Sequence, residues 1–463
     1  MGLTREVAEF SAGLRLADIP EKVLYLAKRS IVDALGLAVS GARSEVGRIT
    51  RRHVEEQSCE PEATVLGTTV RTTTRLAAFA NGVAIHADDY DDTQLSGTPD
   101  RVYGLLTHPT APVFPAALAI AEKRSKGGGD LLKAYVLGVE VATKIAEAIA
   151  SRHYEDGFHS TATMGAIGAA SAAGSLQELT VGQHQVALAL GASQAGGLRE
   201  NFGTMIKPFH AGRAAESGVI AADLAGRGFT GAANILEAPR GFFQAAGGGF
   251  DEEIIRGRLG DPWTFASPGV SIKPHPSGSL THPAMHAMLG LIETHDISPE
   301  DVDRVTVGAS RHMPNALIHH QPANGLEAKF SMEFCMATLL LNRQAGLKHF
   351  TDEVVNRPDI QEMIKRVDFR ARPDADAAGF HTMRSYVDVY LKDGTHLSAQ
   401  ADYAKGSPQV PVSDDELVQK LAECLDWGGR DPGKASGLAE RVFSLETEDS
   451  LHGIVETVSG GAG

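Results

Sequence analysis

The chain has 463 residues, with 43 Lys+Arg against 58 Asp+Glu, a formal charge of −15, 43% hydrophobic and 22% charged residues. That length and balance leave room for more than one core and exclude a disordered or fibrous chain; the acidic surplus, without a Lys/Arg-rich run, speaks against nucleic-acid and membrane-surface partners. The cysteines Cys59, Cys335 and Cys424 lie far apart and form neither a disulfide framework nor a zinc motif. The charged start, MGLTREVAEF, lacks the apolar core of a secretory leader, so a reduced, cytoplasmic setting is expected.

Up to about residue 260 the pattern is helix after helix. Asp18-Ile-Pro-Glu predicts a helix start, and apolar residues then recur at helical spacing from Val23 to Val39. Arg75–Ala87, Pro112–Lys123 and Leu131–Ile149 read as further helices. Ala162–Ser175 is almost wholly Ala, Gly, Ser and Met, which predicts a buried helix with close neighbours. Thr180 is placed to cap Val181–Ala192, and another helix is expected from Ala211.

The pattern changes near Pro262. Ser267-Pro-Gly-Val-Ser-Ile-Lys-Pro-His-Pro-Ser-Gly-Ser is loop, Asp301–Ala309 alternates as a strand, Phe330–Leu341 is a helix, and Arg384–Tyr403 reads as a hairpin around Lys392-Asp393-Gly394. After Pro408 helical spacing returns over Glu416–Leu425 and Gly437–Ser444, and Ser459–Gly463 reads as a mobile tail. The expected architecture is mainly α. A large all-helical domain is built from both chain ends (residues 1–266 and 405–463), with a late-inserted α/β lid (residues 267–404).

Polar clusters punctuate this apolar frame. His86-Ala-Asp-Asp-Tyr-Asp-Asp-Thr93 places four carboxylates in five positions at a helix C-terminus. They repel one another and oppose the helix dipole, so the run is either a solvated acidic loop or carboxylates with cationic partners. Asp88-Asp89-Tyr-Asp-Asp92 also fits a DDxxD magnesium–diphosphate pattern, but no second metal motif follows and aromatic content is only 6%. Thr107-His108-Pro109 precedes one helix and Gly157-Phe-His159-Ser-Thr161 another. Each His is either a satisfied buried side chain or a neutral base near a helix N-terminus. Asn201-Phe-Gly-Thr-Met-Ile-Lys207-Pro-Phe-His210-Ala-Gly-Arg213 packs three cationic residue types into seven positions. Lys207 precedes Pro and is expected to project from a turn toward a carboxylate or phosphate. Ile272-Lys273-Pro-His275-Pro-Ser277-Gly-Ser279-Leu-Thr-His282 repeats the theme at the domain junction, with Ser277 and Ser279 as candidate caps. A Walker A loop, a dinucleotide fingerprint, GxSxG and HExxH are all missing from the sequence.

Taken together, HADDYDDT, THP, GFHSTATMGAIGAASAAG, NFGTMIKPFHAGRAAESGVIAADLAGRGFTG, IKPHPSG and KFSMEFC resemble the MmgE/PrpD family over nearly the whole chain and in the same order. That family includes 2-methylcitrate dehydratase, cis-aconitate decarboxylase and iminodisuccinate epimerase. The resemblance implies the helical-domain-plus-lid fold, a homodimer, a small polycarboxylate substrate, and proton transfer next to a carboxylate without cofactor or metal. Carried over, the catalytic positions are His159, His108, Asp89, Lys207 and Lys273, with His108 oriented by Asp89. Thr93, His210, Ser277 and Arg213 are the substrate-binding candidates. The decarboxylase has a His where Gly278 stands here, and residues Gln94–Thr107 lengthen the spacing between Thr93 and His108. Both departures favour a 2-methylcitrate dehydratase-like hydro-lyase over a decarboxylase, with an iminodisuccinate-type epimerase and a non-catalytic metabolite-binding dimer as alternatives.

Overall fold

The computed structural model describes residues 2–57, 59–95, 106–379 and 381–459. Its first half is helical: α1 (Leu3–Gly13), α2 (Glu21–Arg43), α3 (Glu45–Glu55), α4 (Thr74–His86), α5 (Thr110–Lys123), α6 (Gly128–Ala148), α7 (Arg152–Glu155), α8 (Ser160–Leu176), α9 (Val181–Ser193) and α10 (Ile206–Gly226). The short β1 (Ala63–Thr64) and β2 (Arg71–Thr72) pair between α3 and α4, and α11 (Phe242–Gly247) and α12 (Glu252–Ile255) follow α10. Thr180 caps α9 reciprocally with Gln183, as its sequence predicts. Asp18, by contrast, caps nothing in α2: it pairs with Arg15 in a 3-10 turn, and Pro20 precedes the helix.

Every residue of α8 is buried, because its small side chains let neighbours approach on all sides. A Cβ on Gly138 of α6 would sit 2.7 Å from the Gly168 carbonyl of α8. A second close crossing bears directly on the site. A Cβ on Gly82 of α4 would lie 2.8 Å from the Gly212 Cα of α10, so only glycines allow the two helices to meet there. That contact brings the last residue of α4, His86, to the first turn of α10, which carries Lys207. Lys207 therefore does not project from a turn. α10 starts at Ile206 and tolerates Pro208 because first-turn amides have no intrahelical acceptor to lose.

After β3 (Thr93–Gln94) and β4 (Val270–Ser271), the chain forms α13 (His282–His295), β5 (Val302–Ala309), α14 (Gly325–Ala328), α15 (Met332–Asn342), α16 (Asp352–Val355), α17 (Pro358–Ile364), β6 (Val367–Ala371), α18 (Pro373–Ala377), β7 (Ser385–Leu391) and β8 (His396–Ala401). The sheet order is β6-β5-β7-β8, parallel only between β5 and β6. Val387 and Val389 of β7 alternate inward and pack with Val305, Val307, Met285 and Phe334 into one apolar cluster. The returning helices α19 (Asp414–Trp427), α20 (Ala435–Phe443) and α21 (His452–Ser459) join the larger cluster, where Leu421, Leu425, Val442 and Val455 pack with Ile31, Leu35 and Leu132. Each such Leu contributes about 1.5–3 kcal/mol of burial. α21 ends at Ser459, and the rest of the expected tail lies outside the described residues. No helix among the described residues is long and apolar enough to cross a membrane.

Candidate active site

The acidic run following α4 is buried, and each of its residues has a separate partner. Asp88 accepts from Lys329 Nζ (3.2 Å) and Ser40 Oγ (3.1 Å). Asp89 accepts from Lys207 Nζ (2.7 Å) and lies 3.2 Å from Lys273 Nζ, which also donates to its backbone carbonyl (2.8 Å). The Tyr90 hydroxyl donates to the Pro274 carbonyl (3.1 Å), and the Tyr90 carbonyl accepts from Lys420 (2.8 Å). Asp91 lies between His86 and His108, and Asp92 accepts from Thr110. Asp88, Asp89 and Asp92 turn to different partners, while Asp89 and Asp91 stay close together on either side of His108. The DDxxD carboxylates diverge and do not share one cation.

Two features fix this arrangement. Asp89 has a left-handed φ of 50°, which Asp tolerates better than most residues and which bends the chain as it leaves α4. The ribbon between β3 and β4, with Thr93 opposite Ser271, ties the run to the segment carrying Lys273. Lys420 of α19 reinforces the tie: its Nζ bonds the carbonyls of Tyr90 (2.8 Å) and Lys273 (2.9 Å) and pairs with Asp33 (2.6 Å).

The two lysines determine the electrostatics. Burial alone would raise the Asp89 carboxyl, but Lys207 and Lys273 hold it far below the usual carboxylate range. Burial lowers Lys273, with Asp89 opposing. Asp91 is likewise held well below its ordinary value, against burial, by His108 and His86. Burial pushes Asp92 up to about 7, with Asp91 adding repulsion and Thr110 opposing. Burial lowers every imidazole here: His86 falls to about 3 and His210 to about 4, while His108 and His159 are shifted in the same direction. The site therefore holds neutral imidazoles beside buried ammonium groups.

His108 and His159 face this cluster with ring centroids 6.5 Å apart. His159 is the N-cap residue of α8, and the Thr161 hydroxyl accepts from the His108 amide (3.0 Å), linking the two segments. His159 Nδ1 lies 3.1 Å from His210 Nδ1, and its Nε2 is buried without a hydrogen-bond partner among the described residues. Phe202 packs edge-on to His159 (5.1 Å) and stacks on Phe330 (5.6 Å), and both rings lie near Lys207 Nζ (5.4 and 5.7 Å). The result is an apolar wall beside Lys207.

The structure thus brings together His108, His159, Asp89, Lys207 and Lys273. His210 stands behind His159. Thr93 and Ser279 share a hydrogen bond at 2.9 Å. Ser277 caps no helix; its hydroxyl bonds Thr281 Oγ1 (2.9 Å) beside Met285 in the lid core. Arg213 is not brought to the cluster: it is half exposed and pairs with Glu216 (2.7 Å). His108 Nδ1 faces Asp91 at 3.2 Å, outside hydrogen-bond angles, whereas Asp89 lies 3.8 Å from its other nitrogen. Sequence reasoning did not single out His86, Asp91, Lys329 or Lys420. His86 was legible as the head of the acidic motif, and Lys329 as the first residue of KFSMEFC. Lys420 looks like any charge on an amphipathic helix.

His86, Asp89, Asp91 and His108 offer donor atoms within 4.8 Å of one another, a set that could in principle hold a metal. Lys207 and Lys273 already occupy Asp89, so a divalent cation there would meet two ammonium charges. The donor set fits a cation poorly and an anion well.

A mainly helical fold with a smaller α/β unit encloses this cluster of buried Lys, His and Asp side chains. The MmgE/PrpD N-terminal domain matches residues 5–255 and the MmgE/PrpD C-terminal domain matches residues 275–443. The chain belongs to the MmgE/PrpD family. Relatives include cis-aconitate decarboxylase of Homo sapiens, 28% identical, with 92% of this chain and 89% of that protein aligned. The Mus musculus enzyme of the same name is 28% identical over 90% of this chain and 86% of its own. The Aspergillus terreus enzyme is 25% identical over 99% and 96%.

Proposed function

We propose that the protein is a lyase acting on a small di- or tricarboxylate. It removes a proton from carbon next to a carboxylate without cofactor or metal, and its reaction is a 2-methylcitrate dehydratase-like elimination of water. The carrying observation is the pair of buried imidazoles, His108 and His159, 6.5 Å apart beside two ammonium groups gathered on one carboxylate.

A hydrogen α to a carboxylate is weakly acidic because the resulting enediolate concentrates negative charge. Substrate carboxylates take the place of Asp89 on Lys207 and Lys273, and the ammonium groups hold the charge as it develops in a site that excludes water. One imidazole accepts the α-proton, and the other, taking up a proton as the anionic substrate binds, passes it to the departing hydroxyl. The products are an alkene and water, and the two histidines end with exchanged protonation states. Thr93 orients the substrate, and Phe202 and Phe330 cover its apolar part.

Decarboxylation is the second reading, and the names of the relatives favour it. Gly278 weighs against it, since it puts no side chain where the decarboxylase pattern has a His; its added Cβ would face Leu317 and Phe330 at 3.3 and 3.6 Å. Epimerisation would use the same two imidazoles to return the proton on the opposite face. Proton NMR of the protein with 2-methylcitrate, citrate, cis-aconitate and iminodisuccinate separates these reactions. The proposal expects loss of the α-proton signal with a new methyl singlet from 2-methylcitrate, or with a new olefinic signal from citrate. Itaconate from cis-aconitate would replace it with the decarboxylase reading, and diastereomer exchange alone with the epimerase reading.

A further inference from the structure

The two imidazoles differ in what stands behind them. Asp91 lies between two Nδ1 atoms: both its oxygens are 2.9 Å from His86 Nδ1, and Oδ2 is 3.2 Å from His108 Nδ1. All three side chains are buried, and the two rings are 4.4 Å apart. On its far side His86 Nε2 lies 2.8 Å from Lys207 Nζ. An ammonium paired with Asp89 is only a donor, so His86 Nε2 is the acceptor and the one proton of neutral His86 sits on Nδ1, toward Asp91. His108 Nδ1 faces the Asp91 carboxylate at 3.2 Å without the angle of a hydrogen bond; a carboxylate at that distance repels a ring lone pair and attracts an N–H, so His108 also carries its proton on Nδ1. Its Nε2 lone pair then lies on the side of Asp89, whose nearest oxygen is 3.8 Å away, beyond hydrogen-bond range.

Among the described residues, no carboxylate pairs with His159. Its Nδ1 meets His210 Nδ1, so one ring donates and the other accepts, and Lys207 is close enough to oppose a charge on it. An imidazole backed by a carboxylate is stabilised as it gains a proton, and one backed by a second imidazole near an ammonium is not.

We propose that Asp91 and His86 are positioning residues that fix His108 as its Nδ1–H tautomer and make it the proton-abstracting base, leaving His159 to protonate the departing hydroxyl. The chain His108–Asp91–His86–Lys207 also ties the base to the cation that holds the substrate, so both move as one unit. This assignment rests on the proton-transfer reading above.

Nitrogen-15 NMR of histidine-labelled protein reads the tautomers without substrate, at neutral pH. His108 and His86 are expected to carry hydrogen on Nδ1, and the Asp91→Asn variant to show His108 as a tautomer mixture. In turnover, Asp91→Asn should lower kcat by ~10²–10⁴ with KM nearly unchanged, the range for losing or mis-orienting one acid/base group, and Asp91→Glu should recover part of it. His86→Asn keeps a donor near the Nδ1 position and His86→Gln an acceptor near the Nε2 position. The first should retain more kcat, because the bond to Asp91 is the one that orients His108. His108 found as its Nε2–H tautomer in the wild-type protein overturns the assignment whatever the activity, as does full kcat in Asp91→Asn. If Asp91→Asn does not fold, a greater kcat in His86→Gln than in His86→Asn overturns it. A wild-type protein with the expected tautomers but no activity on any polycarboxylate overturns the functional reading alone.

Discussion

Lys207 Nζ sits between two buried acceptors, 2.7 Å from Asp89 Oδ1 and 2.8 Å from His86 Nε2. An ammonium this far from water has to be balanced, and Asp89 provides the balance when no substrate is bound. In this account Asp89 marks where a substrate carboxylate goes. Lys207→Met should therefore lower kcat/KM by ~10²–10³, as loss of a preorganised charge-stabilising donor does. Lys207→Arg should not restore it, because the planar guanidinium cannot direct donors to both acceptors as the ammonium does. Steady-state kinetics on the substrate identified by NMR checks both.

The Asp92 carboxyl, raised by burial to about 7, should leave a signature in stability. Between about pH 4 and 7 the folded chain holds a proton that the unfolded chain has released, so this group's contribution falls as pH rises through that window and levels off above it. Asp92→Asn removes the ionisation. Its Tm relative to wild type should therefore be higher at pH 8 than at pH 4.5, measured by thermal denaturation at fixed ionic strength.

The close crossing of α4 and α10 predicts an effect at a distance from the chemistry. A Cβ at Gly212 would collide with the Phe79 carbonyl. Gly212→Ala should cost about 1–3 kcal/mol, the usual range for overpacking. It should also reduce activity by spreading His86 from Lys207. Denaturant unfolding and kinetics on the same preparation test both parts.

Much of the fold was legible because helical periodicity and alternation act locally. The hairpin around Lys392-Asp393-Gly394, the strand ending at Ala309 and the capping of α9 by Thr180 follow from short patterns. Helix starts were less legible where side-chain chemistry competed: Asp18 turned to Arg15, and Pro208, which reads as a helix breaker, lies in a first turn that accommodates it. In the site, residues inside dense polar motifs could be picked out, but their pairing could not. Which carboxylate aligns His108 depends on the bend at Asp89, a backbone choice with no sequence period. Arg213 shows the converse: it sits in the most polar motif, yet the helical turn carries it outward to Glu216. Lys420, more than three hundred residues from Tyr90, could be found only in three dimensions.

Treatment with EDTA should leave activity unchanged, because the two lysines on Asp89 disfavour a divalent cation among the nearby His and Asp donors. Activity lost to EDTA and regained with zinc, manganese or magnesium would show that a cation displaces those lysines.

The central claim is that this chain moves a proton at carbon next to a carboxylate, with His108 and His159 as the groups that carry it. Deuterium exchange into the α-position of polycarboxylate substrates in D₂O, followed by proton NMR for wild type, His108→Asn and His159→Asn, tests it most directly. The account predicts exchange or turnover by the wild-type protein and a fall of ~10²–10⁴ in each variant, with Tm close to wild type. Wild-type rates in both variants, or no exchange by the wild-type protein with any polycarboxylate, would contradict it.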